Sequence, residues 1–397
     1  MKKFLILLII VCLALNITGC SDKQTHHPPA TTVQTAPVDS GNSGASIDSK
    51  STTNICSIVL PTYKETVTAD DGTTLFTLSY QQTQLLLGNS TLEEKILGDL
   101  QTRNGSILSQ AAEIEDQAQL DYSAGELWSE YFIDISYVPT RLDRMVLSLF
   151  GNSVSYCGGP HPAIATNSVT YDLETGDVLW LVDILTQECT SDTLYQMVLD
   201  CLAEQEAVLY YDYADALAER FSKGLHNIPD WYFSRNGLCF HFSPYDIAPY
   251  SSGTIIAELP YSELEGILQD KYFPEEVTTA TGSVYAGGYS EDVNDRFSNI
   301  TDVSLSENGN EILLYSDAAV IDLRIEAGWR YADNDQYIPR STVFATNIID
   351  IGDGIHLTSD LNDETMVLRL VYRADGQEYS SFITYDTQSD SVSLYSD

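Results

Sequence analysis

The sequence predicts an α+β protein: antiparallel sheets with packed helices in two domains, residues 54–155 and 156–275, followed by a mostly-β domain over 281–397. Three observations lead there. Apolar residues make up 43% of the 397-residue chain, which is enough for real cores and excludes a wholly disordered polymer. Most apolar runs alternate with polar residues and stop at Asp-Gly or Asn-Gly pairs, the pattern of half-buried strands joined by tight turns. Helix signals are few: Thr91-x-x-Glu94 and Ser262-x-x-Glu265 read as capping boxes, and Ser191 as a cap before Leu194, Val198 and Cys201.

Taken in order, Lys2 and Lys3 precede an apolar run, Phe4 to Leu15, that is too short for a standard membrane span. The run ends in Ile17-Thr18-Gly19-Cys20, which resembles the lipobox of bacterial lipoproteins. That resemblance implies cleavage after Gly19 and lipidation of Cys20, hence attachment to a membrane through acyl chains. The alternative is an ordinary signal peptide ending near a cysteine. Residues 20–53 have almost no large apolar side chains and read as a disordered tether, in which His26 and His27 are incidental. Beyond Cys20, five cysteines remain (Cys56, Cys157, Cys189, Cys201 and Cys239), with no CxxC spacing. An odd number leaves at least one thiol unpaired, and both buried thiols and disulfides stay open.

Within 54–155, Leu75, Phe76, Leu78 and Tyr80 form a strand after the Asp71-Gly72 turn. A helix follows with Leu92, Ile96 and Leu100 on one face, interrupted at Asn104-Gly105 and resuming over Ile107 to Ile114. Strands then cover Tyr131 to Val138 and Met145 to Tyr156. Within 156–275 come a strand over Asn167–Asp172, a helix from Ser191 to about Ala207, a hairpin from Trp231 to Phe242 turning at Arg235-Asn236-Gly237, and a short helix from Ser262 to near Tyr272. Residues 281–397 hold alternating runs at Glu311–Tyr315, Ala319–Ile325, Met366–Tyr372 and Tyr379–Tyr385, the pattern of a sandwich. Asp350-Ile351-Gly352-Asp353-Gly354 and Asp333-Asn334-Asp335 lack the downstream Glu of a calcium loop and read as turns, so no metal and no cofactor is expected.

The charge narrows the partners. There are 58 Asp+Glu against 19 Lys+Arg, a net of −39 that becomes −41 once Lys2 and Lys3 leave with the leader. Nucleic acid and anionic lipid surfaces each call for a basic face, so both are excluded as main partners, while a cationic partner fits the sign. Residues 281–397 contribute −15, with six arginines and no lysine.

Three segments in order carry a family resemblance: Tyr156-Cys157-Gly158-Gly159-Pro160-His161-Pro162, Tyr171-Asp172-Leu173-Glu174-Thr175-Gly176, and Ser243-Pro244-Tyr245-Asp246-Ile247-Ala248-Pro249-Tyr250-Ser251-Ser252-Gly253. Together they resemble the extracytoplasmic DUF3298 domain of RsiV-type anti-sigma factors and of PdaC-type peptidoglycan deacetylases; residues 56–155 resemble its usual companion, DUF4163. The resemblance implies binding of lysozyme or of a cell-wall component. It does not imply sigma-factor control, which needs a cytoplasmic segment, nor deacetylation, since the chain has no His-x-x-x-His. The expected function is therefore that of a non-catalytic, surface-anchored envelope binding protein. A glycan hydrolase with paired carboxylates, or a scaffold lipoprotein, is the alternative. The expected binding residues are His161, Tyr171, Asp172, Tyr245, Asp246 and Tyr250. His161 is expected to fix its loop by hydrogen bonding, with Asp172 or Asp177 as the carboxylate that would orient it as a base in the alternative reading; Glu174 and Asp177 are expected to serve the turn at Gly176, and His241 is expected on a solvent face.

Overall fold

The computed structural model describes residues 55–127, 129–228, 230–274, 280–290, 296–306, 309–330, 336–361, 367–386, 389 and 391–396. Cys20, His26, His27, the rest of the leader and tether, and Asp333-Asn334-Asp335 lie outside them. The fold is α+β, with four sheets around three apolar cores. No helix among the described residues is long and apolar enough to cross a membrane.

The first sheet has the order β2-β3-β5-β6-β7, with β2 Thr62–Thr68, β3 Thr74–Gln81, β5 Tyr131–Leu142, β6 Val146–Tyr156 and β7 Ala163–Asp172. Alternation along β5 sends Tyr131, Ile133, Ile135 and Tyr137 into the first core, under helices α1 Ser90–Leu108 and α2 Ala111–Ala124. The cap of α1 is Asn89, whose side chain accepts from the Leu92 N–H at 3.3 Å, not the expected Thr91. Nor does α1 break at Asn104-Gly105. Leu92, Ile96, Leu100 and Asn104 are its buried stripe, and the Tyr137 hydroxyl donates to Asn104 at 2.8 Å. That satisfied contact outweighs the roughly 1 kcal/mol a mid-helix glycine costs.

The back of this sheet supports a second unit. Even positions of β6 (Val146, Ser148 and Phe150) face away from the first core, and onto them packs the three-stranded sheet β10-β9-β8. Its strands are β8 Trp231–Phe233, β9 Gly237–Phe242 and β10 Ile255–Pro260. The Phe233 N–H donates to Ser148 Oγ at 2.9 Å, and the Ser168 hydroxyl to the Trp231 carbonyl at 2.6 Å. Helices α3 Ser191–Ala203, capped by Thr190 and not by Ser191, and α4 Tyr213–Ser222 close the second core. The free edge of β10 is blunted: Gln205 and Cys201 donate to the Ile256 and Glu258 carbonyls. The expected helix from Ser262 is instead two 3-10 turns, Tyr261–Glu263 and Asp270–Tyr272.

The C-terminal region is a sandwich of a four-stranded and a seven-stranded sheet. The former has the order β11-β13-β16-β12, with β11 Val284–Gly288, β12 Asn299–Ser304, β13 Asn310–Ser316 and β16 Asp353–Ser359. The latter contains β14 Val320–Arg330, β15 Tyr337–Ile349, β17 Val367–Ala374, β18 Gln377–Asp386 and β19 Ser391–Ser396. Its remaining two strands come from the other end of the chain: β1 Ser57–Val59 pairs with β15, and β4 Gln84–Leu86 pairs with β1. Asp375 and Gly376 both take positive φ, as a two-residue hairpin turn requires.

Two expected domain divisions therefore cut through sheets. The division at 155/156 falls inside the β6–β7 pairing, which runs from Val146 opposite Asp172 to Ser155 opposite Ala163. The segment 54–155 likewise supplies two strands to the sheet of 281–397. The β1–β15 pairing spans almost 300 residues and leaves no compositional trace, whereas the β6–β7 pairing is a hairpin that a division at its Gly-Pro turn splits.

Cys56, Cys189, Cys201 and Cys239 carry free thiols. Burial pushes Cys56 and Cys189 up to about 11 and Cys239 up to about 12, so these thiols are protonated and unreactive at neutral pH.

Candidate functional site

The loop leaving β9 is tied down within a few residues. The Asp246 N–H donates to the Ser243 carbonyl at 3.0 Å, and the Ser243 N–H to Asp246 Oδ2 at 2.9 Å. The Tyr245 N–H donates to the Ala248 carbonyl at 3.0 Å, while Ile247 and Ala248 are sunk in the second core. These anchors hold Tyr245 at φ 76°, a left-handed conformation that costs a bulky residue about 1–3 kcal/mol. The outcome is a tyrosine ring 56% exposed at the surface.

His161 meets that ring from the loop between β6 and β7. Its Nδ1 lies 2.9 Å from the Pro162 carbonyl, which can only accept, so Nδ1 carries the proton in the neutral ring. Nε2 then accepts from the Tyr245 hydroxyl at 3.0 Å. The imidazole stacks on Tyr250 with centroids 3.9 Å apart. His161, Tyr245 and Tyr250 thus form one aromatic cluster in which the histidine supports the rim, and among the described residues no carboxylate hydrogen-bonds to it.

Asp246 joins the cluster to a cleft. Its Oδ2 accepts from Arg220 Nη2 at 3.1 Å, and Arg220 Nη1 donates to Asp230 at 2.9 Å with the guanidinium over the Phe242 ring. Burial raises the Asp230 carboxyl and Arg220 opposes the rise. The cleft, about 430 Å³, lies between this loop and α4 and is lined by Tyr210, Tyr213 and Tyr245 with Asp212, Asp215, Glu219 and Asp246. Helix α4 buries Leu217 and Phe221 and turns Asp215 and Glu219 outward. A second hollow of about 460 Å³, by Glu265, Gly266, Asp270 and Phe273, gathers none of the expected residues.

The other expected residues lie elsewhere. Tyr171 is fully buried in the first core and donates to Asp99 at 2.7 Å, with burial raising its hydroxyl far above the ordinary range. Asp172 is also buried; its Oδ1 accepts from the Glu174 and Thr175 N–H groups, which makes it a turn cap and not a binding group. Asp177 pairs with Lys95 at 2.7 Å and does not reach His161. Asp353 caps its own turn by accepting from the Asp350 N–H. Among the described residues no three His, Cys, Asp or Glu converge as a metal ion would require.

His241 corrects the sequence expectation. It is 1% exposed, not solvent-facing, with ring nitrogens 2.9 Å from the Thr166 and Ser168 hydroxyls and its edge against Phe150. Strand alternation assigned it a face, but that face is covered by β7, which periodicity does not reveal. Burial, helped by the Arg220 charge, pushes it down to about 4. The unfolded chain binds this proton near pH 6.5 and the folded chain only near 4, so stability falls as pH drops from 6.5 to 4. The loss is of order 3 kcal/mol. A His241→Gln protein should show that much less pH dependence in urea unfolding; equal pH profiles would refute the assignment.

Sequence reading missed Arg220, Asp212, Asp215 and Glu219. The trace was present, since Leu217 and Phe221 stand one helical turn apart with Asp215 and Glu219 on the opposite side.

Residues 183–262 match the family model described as "Protein of unknown function (DUF3298)". The segment includes Ser243–Gly253 and leaves both Tyr156–Pro162 and Tyr171–Gly176 outside. No curated protein matches the chain. Among solved structures it is similar to a DUF3298 family member from Bacteroides fragilis NCTC 9343, with 19% identity, a TM-score of 0.40, and coverage of 54% of this chain and 93% of the other. A DUF3298 family protein from Pseudomonas aeruginosa PAO1 shows 16% identity, a TM-score of 0.33, and coverage of 55% and 97%.

Proposed function

With a DUF3298 domain at residues 183–262 as premise, we propose that the chain is an extracytoplasmic envelope protein, lipid-anchored at Cys20, that binds a cationic ligand at the aromatic rim and acidic cleft. A basic protein of the lysozyme kind is the ligand that fits best, and a DUF4163-like companion over the preceding residues belongs to the same reading. One observation carries it: Tyr245 is held at φ 76°, stacked into a cluster with His161 and Tyr250, beside four carboxylates. The carboxylates line a wall and do not close a coordination sphere, which suits a guanidinium or ammonium on a protein surface more than a metal ion. The chain itself binds Arg220 in this way, between Asp230, Asp246 and the Phe242 ring. The net charge of −39 would steer such a partner inward and speed its encounter.

The test is calorimetric titration of the full chain in detergent with a basic lysozyme at moderate salt. Tyr245→Ala combined with Tyr250→Ala should weaken binding about 30-fold or more, as loss of aromatic anchors does. Binding that vanishes above about 0.3 M salt and ignores both tyrosines would be charge attraction alone, and the proposal would fail.

A further inference from the structure

The stretch 281–397 has six arginines and no lysine. The seven-stranded sheet collects three of these arginines on the face turned away from the sandwich core. Leu323, Ile325, Leu368, Leu370, Tyr372 and Ala374 point inward, so Arg324, Arg369 and Arg373 point outward. Arg235, from the turn between β8 and β9, reaches the same place.

Part of this charge is matched. Glu326 accepts from Arg324 Nε at 2.6 Å and from Arg369 Nη2 at 2.8 Å. Glu378 accepts from Arg324 Nη1 and Nη2 at 3.2 and 3.4 Å. Arg235 and Arg373 are not matched in this way. The nearest carboxylate oxygens to Arg235 are 3.6 Å away on Asp322 and 3.8 Å away on Glu378, and Arg373 stands 4.0 Å from Asp322. These are charge contacts beyond hydrogen-bonding distance. Neither guanidinium donates a hydrogen bond to any described residue, although their side chains are only 17% and 32% exposed. Burial, with the like charges of Arg324 and Arg373, pushes Arg235 below the ordinary arginine value against the pull of Asp322 and Glu378. Arg235, Arg324, Arg369 and Arg373 against Asp322, Glu326 and Glu378 leave one local positive charge in a chain of −39.

We propose that Arg235 and Arg373, with the charge of the paired Arg324 beside them, form a binding site for a tetrahedral oxyanion, a phosphate or sulfate group, at the seam between the β8–β9 hairpin and the seven-stranded sheet. Each guanidinium presents five N–H donors in a planar fork, and lysine would offer no such fork. A tetrahedral oxyanion carries acceptor oxygens in several directions, so it can take bidentate bonds at once from an arginine on a turn and one on a strand. The side chain of Glu378 beside Arg235 is half-exposed, so the cluster is in contact with solvent. Bound there, the anion would also fasten the hairpin that carries the DUF3298 loop to the C-terminal sandwich. The site is separate from the tyrosine cleft and does not depend on it.

The experiment is isothermal titration of the full chain with inorganic phosphate, with thermal unfolding in phosphate and in chloride at matched ionic strength. Phosphate should bind in the millimolar range and raise the unfolding temperature. Arg235→Gln and Arg373→Gln should each weaken binding at least tenfold, while Arg144→Gln, at an exposed position elsewhere, leaves it unchanged. Arg373 is the more exposed of the pair, so its variant serves if the Arg235 variant fails to fold. A glycerol phosphate arm separates sources: tighter monoester binding assigns an esterified phosphate, tighter inorganic phosphate the free ion, and both uphold the site. Absence of phosphate-dependent heat and of any temperature shift at about 20 mM, or an unchanged dissociation constant in both glutamine variants, would overturn it.

Discussion

Replacing Arg141 by methionine is expected to lower the unfolding free energy by about 3 kcal/mol, a large share of the 5–15 kcal/mol typical of a folded domain. Arg141 sits at the end of β5 and is 4% exposed. Its Nε donates to Asp143 at 2.6 Å, and its Nη1 to the Tyr261 hydroxyl at 2.8 Å and the Tyr272 carbonyl at 2.6 Å. The guanidinium also lies over the Phe233 and Tyr261 rings, with centroids 5.0 and 5.6 Å away. One side chain therefore joins the first sheet, the β8–β9 hairpin and the end of the second core. Methionine keeps most of the volume and strands three acceptors. Asp143 is 29% exposed and regains some water, which keeps the expected loss at the low end of the range for broken buried pairs. Urea denaturation of Arg141→Met and Arg141→Lys measures it. Lysine should recover part of the loss, and a methionine effect below about 1 kcal/mol would show that packing alone matters there.

Ending the chain after residue 274 is expected to disrupt the first unit, not to release a stable shorter protein. Strand β1 is three residues long; Ile58 and Leu60 point into the first core and Val59 into the sandwich core. Its partner β15 would be lost, and with it the Leu60 N–H bond to Val343 and the Asn347 N–H bond to Cys56. Only β4, also three residues, would remain beside it, and such a pair does not persist alone. Gln81, buried, would lose its acceptor on Thr342 while still accepting from the Tyr137 N–H. Uncovering Ile58 and Leu60 removes about 1.5–3 kcal/mol each, at most, before the backbone is counted. Strong binding of a hydrophobic dye and aggregation during purification are the expected signs, relieved by co-expression of 281–397. A soluble monomer melting at the full-length temperature without dye binding would contradict the shared sheet.

Local signals carried far along this chain. The Asp375-Gly376 turn, the β8–β9 hairpin around Asn236-Gly237 and the buried stripe of α1 are written in neighbouring residues, since turn chemistry and side-chain spacing act over a few positions. Of the candidate site, His161, Tyr245, Asp246 and Tyr250 were legible as a set and do meet. Tyr171 and Asp172 shared a motif with nothing at the rim, because their strand turns them into a core and a turn.

The sequence by itself determined the α+β class, the acid excess and most strands and turns, because composition and short-range periodicity encode them. Only the tertiary structure decided that His241 is buried, that α4 brings its carboxylates to Tyr245, that β1 belongs to a sheet almost 300 residues away, and that Arg235 and Arg373 both approach Asp322. Each of those depends on which face another element covers, and a face is assigned by packing and not by the residues that bear it.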